Sequence, residues 1–166
     1  MSDYTRLAEA QISIKSKDLT EIKKAKTILS DLIENYNVNI ENAYEARYYL
    51  CKILLREYLE TSSEEILEQL DILTEEILEF GNKGELIGFR IKANNIRLLV
   101  LLIREQSSTK ETKIQNVEQL LMNVQRIAER VGLRTIARDF SEEQENLLQQ
   151  KQTLEDFIKI YFAFDD

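Results

Sequence analysis

The sequence predicts an all-α fold of antiparallel helix pairs, about seven or eight helices stacked side by side. Three observations carry that expectation. Proline is absent and glycine occurs only at Gly81, Gly84, Gly88 and Gly132, whereas strand-rich folds need turn residues about every ten positions. Apolar residues recur at helical spacing behind recognisable cap signals. Long segments also match one another at fixed offsets, as repeats do.

The helices are justified in order. The first is short, about residues 4–14. Asp18 with Glu21 three residues later has the form of a capping box and opens a second helix reaching about residue 36. Asn39 is a cap for a third, over about 41–59. Ser62 and Glu65 repeat the box before a fourth that ends near Phe80, ahead of a turn at Gly81-Asn82-Lys83-Gly84. A fifth spans about 84–104. Ser108 and Glu111 open a sixth that reaches Val131, where Gly132 suits a C-terminal cap. The seventh covers about 133–150, and Thr153 with Asp156 starts a last helix over 153–164. Connections this short make consecutive helices antiparallel neighbours.

Self-similarity organises these helices. A shift of 44 carries Ile22, Ile28, Leu29, Ile33 and Tyr36 onto Ile66, Ile72, Leu73, Ile77 and Phe80, and Ala43, Leu54 and Leu55 onto Ile87, Leu98 and Leu99. A shift of 50 lays Leu67-Glu68-Gln69-Leu70 on Val117-Glu118-Gln119-Leu120. With one residue deleted, Ile87, Gly88, Ile91, Leu98 and Leu99 meet Ile136, Ala137, Phe140, Leu147 and Leu148. The expectation is a single domain over 1–166, with repeat-like units at about 20–60, 64–105 and 112–150. Helix 153–164, rich in Phe157, Ile158, Tyr161, Phe162 and Phe164, caps it or forms a docking patch. One such unit cannot bury its apolar face alone, so stacked units share a core. An inner helix then needs apolar residues all round, as in the run from Leu98 to Ile103.

The 166 residues are 43% hydrophobic and 31% charged, a balance suited to a folded helical protein with a solvated face. A net charge of −8 and a pI near 4.8 repel phosphate, which argues against a nucleic-acid partner. No apolar run approaches the roughly twenty residues that a bilayer requires, and the lone Cys51 suits a reducing compartment. A cytoplasmic protein is the expectation. Charge is uneven along the chain. Residues 61–80 hold seven acids and no base, and residues 84–104 hold Arg90, Lys92, Arg97 and Arg104 against Glu85 alone. Such blocks either pair neighbouring helices or provide a basic strip for an acidic partner.

Catalytic chemistry is hard to assemble from this chain. Histidine is absent, which removes the usual general base, metal ligand and nucleophile partner. One cysteine excludes thiolate zinc sites. The segment at Gly81-Asn82-Lys83-Gly84 lacks phosphate-loop spacing. Carboxylate pairs such as Glu65 and Glu68 read as a solvated face rather than a metal site, and Cys51 among Tyr49, Leu50, Ile53 and Leu54 reads as packing. The chain is expected to be no enzyme and to need no cofactor or metal.

Residues 120–148 resemble a tetratricopeptide-type (TPR-type) repeat junction, carried by Ile127-Ala128-Glu129-Arg130-Val131-Gly132-Leu133, then Ile136-Ala137 and Leu147-Leu148; residues 70–99 are similar. The offsets exceed the family's usual period of about 34. Ala128 keeps the small residue of the second helix, but Leu78 and Glu34 stand at equivalent positions and the closing proline is missing. The resemblance implies a right-handed TPR-like α-solenoid whose first helices line a concave groove that takes a partner peptide or helix. It implies an adaptor or scaffold for protein–protein interaction.

If the third, fifth and seventh helices line that groove, the candidate contacts are Arg47, Tyr48 and Lys52, then Arg90, Asn94, Asn95 and Arg97, then Arg134 and Arg138. Arginine, tyrosine and asparagine offer forked or amphipathic contacts to a backbone and its carboxylates. The rival expectation is a self-associating bundle or homodimer. Its seam is Ile66, Leu70, Leu73, Ile77 and Phe80, stepping by 4, 3, 4 and 3.

Overall fold

The computed structural model describes residues 2–35 and 39–105, and for Leu98, Leu101, Leu102 and Glu105 the backbone alone. Every regular element among the described residues is a helix: α1 Asp3–Ile14, α2 Leu19–Glu34, α3 Ile40–Thr61, α4 Glu64–Lys83 and α5 Ile87–Glu105. The helices, repeat unit and capping segment expected beyond residue 105 lie outside the described residues. None of the described helices is long and apolar enough to cross a membrane. The chain divides into two compact units, and the boundary falls between Gly84 and Glu85.

Local chemistry sets the helix starts. Ser2 accepts a hydrogen bond from the Thr5 N–H at 3.2 Å, Asp18 from Thr20 N–H at 2.8 Å and Asn39 from Glu41 N–H at 2.9 Å. Each satisfies an amide that the first helical turn leaves unpaired. The Asp18–Glu21 box is not reciprocal. Glu21 accepts from the Ser13 hydroxyl instead, and the Asp18 N–H donates to the Ser16 hydroxyl.

Two expected boundaries are corrected. Ser62 is the C-cap of α3, in the left-handed region at φ 53°, with its N–H on the Tyr58 carbonyl at 2.8 Å. Ser63 takes the N-cap of α4 without a side-chain bond, and Glu64 and Glu65 complement the helix dipole in its first turn. The glycine turn also moves. Helix α4 continues through a buried Gly81 to Lys83, and Glu85 adopts φ 53° immediately after Gly84. A single glycine with helical neighbours on both sides costs a helix only about 1 kcal/mol and need not end it.

In the first unit, α1 packs on α2 and α3, α2 on α3, and α3 on α4. The pairings run antiparallel. As α1 positions rise through Arg6, Glu9 and Ser13, their α2 partners fall through Asp31, Lys24 and Glu21. As α3 positions rise through Tyr44, Arg47 and Cys51, their α4 partners fall through Phe80, Glu76 and Thr74.

Helix α3 has two packed faces. Ala46 and Ile53 join Leu7, Ala10, Ile22, Ala25, Leu29 and Leu32 in one core cluster, with Tyr49 and Leu50 against it. The α4-facing side carries the Tyr44–Phe80 stack at 3.9 Å between centroids and the buried Cys51. Burial raises the Cys51 thiol to about 12, against a contact from the Thr74 hydroxyl that acts to lower it. Three seam positions of the rival bundle are occupied inside the chain: Leu70 and Ile77 are fully buried, and Phe80 is in the stack.

Burial follows its own register. Adding 45 to the buried α2 positions 22, 25, 29 and 32 gives 67, 70, 74 and 77, four of the buried positions of α4. The same 45 takes buried Ala46, Tyr48, Cys51, Leu54 and Leu55 of α3 to buried Ile91, Ala93, Ile96, Leu99 and Val100 of α5. Any two striped helices match at some offset, but one offset fitting two successive pairs is a stronger constraint. The expected shift of 44 is one residue short. It paired apolar side chains such as Ile28 and Ile72, and Ile72 is 61% exposed. It also passed over Ala25 and Thr74, core residues that matching by hydrophobicity does not favour.

Candidate binding face

The groove candidates on α3 are committed to the fold. Arg47 donates from Nε to Glu76 at 2.7 Å and from Nη1 to the Ala43 carbonyl at 3.2 Å. Its guanidinium also lies 4.5 Å from the centroid of the Tyr44 ring. The ion pair with Glu76 ties α3 to α4, while the Ala43 carbonyl and the Tyr44 ring, both on α3, fix the direction of the guanidinium. Tyr48 is 4% exposed and belongs to the interior, so it offers no surface contact. Lys52 lies over the Tyr48 and Tyr49 rings at 5.0 and 5.1 Å. Sequence alone treated Arg47 and Tyr48 as outward because their partners come from a helix whose approach it does not specify.

The candidates on α5 are differently placed. Arg90, Asn94 and Arg97 stand at i, i+4 and i+7, so they share one helix face over two turns. Arg97 is exposed, and Arg90 and Asn94 are half-buried. Asn95 lies about 100° further round the helix and already interacts within the protein. The two asparagines therefore do not act as a pair. Lys92 lies over the Phe89 ring at 5.4 Å, another engaged cation. Arg134 and Arg138 lie outside the described residues.

Arg90 is distinguished by what it lacks. Its Nε is the only buried side-chain nitrogen or oxygen among the described residues without a hydrogen-bond partner. A buried donor left unmet costs about 1–3 kcal/mol, so the native chain tolerates a penalty at this position. Nothing in the sequence flags this, because Arg90, Arg97 and Arg47 look alike until their neighbours are known.

Other chemistry is sparse. Among the described residues no group of three or more histidine, cysteine or acidic side chains is placed to hold a metal ion. Cations of the first unit sit on carboxylates of neighbouring helices: Arg6 on Asp31, Lys24 on Glu9 at 2.6 Å, Lys26 on Glu57 at 2.8 Å. The Arg6 hydrogen bond, with a second from Asn35, holds the Asp31 carboxyl below its ordinary value. No protein-family model, curated protein or solved structure matches the chain.

Proposed function

We propose that the chain is a TPR-like helical-repeat adaptor that holds an acidic partner segment, with Arg90, Asn94 and Arg97 of α5 as the described part of its binding face. The observation that carries the reading is the charge of α5: residues 84–104 hold four bases against one acid in a chain of net charge −8, and exposed Arg97 shares a helix face with half-buried Arg90 and Asn94. The repeat reading is supported by the 45-residue burial register that relates α2 and α3 to α4 and α5. Arg47 and Tyr48 have no place in the face.

The test uses two baits, the wild-type chain and an Arg90→Ala/Arg97→Ala double variant, with matching helicity by circular dichroism. Each is used for affinity capture from native lysate, read by mass spectrometry. A protein held by the first and lost from the second supports the reading. Identical catches would remove α5 from the binding face.

A further inference from the structure

We draw no further inference here: the strongest candidate, the exposed outer face of α4, where Ile72 stands among Glu65, Glu68 and Glu75, is a solvent-facing acidic cluster, and nothing in the structure shows what covers it.

Discussion

Helices α3 and α5 share five buried positions 45 residues apart, yet their polar residues meet different fates. At the register positions of Arg90, Asn94 and Arg97, α3 has Glu45, Tyr49 and Lys52. Tyr49 packs against the α1–α2–α3 core and Lys52 lies over its ring, so that face of α3 is filled from within. On α5 the ring is replaced by an asparagine, and the arginine beside it keeps a buried nitrogen without an acceptor. The buried positions correspond, and the polar side chains set between them differ in what they meet.

The comparison is sharpened first at the core that closes α3's face. Leu29 is fully buried in that cluster, and Leu29→Ala removes apolar contact and leaves a cavity. It is expected to destabilise the chain by about 3 kcal/mol in urea unfolding; a loss below about 1 kcal/mol would mean that the α1–α2–α3 core is not packed as described.

The dry side of α3 has its own signature. Below about pH 9 the Cys51 thiol is protonated in the folded and the unfolded chain alike, so it adds no pH dependence. Between that value and about 12 the unfolded chain ionises while burial keeps the folded thiol protonated. Stability should therefore fall as pH rises through that window, by at most about 1.4 kcal/mol per pH unit. Melting temperatures compared between wild type and Cys51→Ala at rising pH should converge. Parallel curves would place water at the thiol.

The arginines then set the two helices directly against each other. Arg47→Ala breaks a partly buried ion pair and a ring contact and is expected to cost about 1–2 kcal/mol. Arg90→Leu removes an unmet buried donor while keeping apolar bulk. It is expected to leave stability unchanged or raise it by up to about 1 kcal/mol. Equal losses in both, measured by chemical denaturation, would erase the distinction between the helices.

The smallest effect lies at the α3 terminus. Ser62 holds a left-handed conformation that glycine adopts without steric cost. Ser62→Gly should raise the unfolding free energy by about 0.5–1 kcal/mol, and a decrease would show that the serine side chain makes up the difference.

Much of the fold is legible in the sequence because helix starts depend on local chemistry. Asp18 and Asn39 cap as their positions predict, and the described helices fall within about three residues of their expected limits. Ser62 and Glu85 escape such reading, since a left-handed residue other than glycine is imposed by the chain on either side of it. Gly81 misleads in the opposite direction, because a glycine that ends a helix and a buried glycine inside one look alike in the sequence. The offset of 44 that hydrophobicity suggests differs from the burial offset of 45 because core membership goes to Ala25 and Thr74 by geometry, while hydrophobicity favours exposed Ile72.

The candidate site is legible as residue types on the right helix and no further. Arg47 differs from Arg90 in having Glu76 beside its Nε, besides the Ala43 carbonyl and Tyr44 ring of its own helix. That is a matter of how α4 meets α3, and no spacing within one helix contains it.

The most direct test of the difference between the two arginines is an NMR correlation spectrum of the arginine Nε–H groups. The account predicts the Arg47 signal at a hydrogen-bonded position, fixed by Glu76, and the Arg90 signal at the shift of an unbonded guanidinium. An Arg90 signal at the bonded position would contradict it.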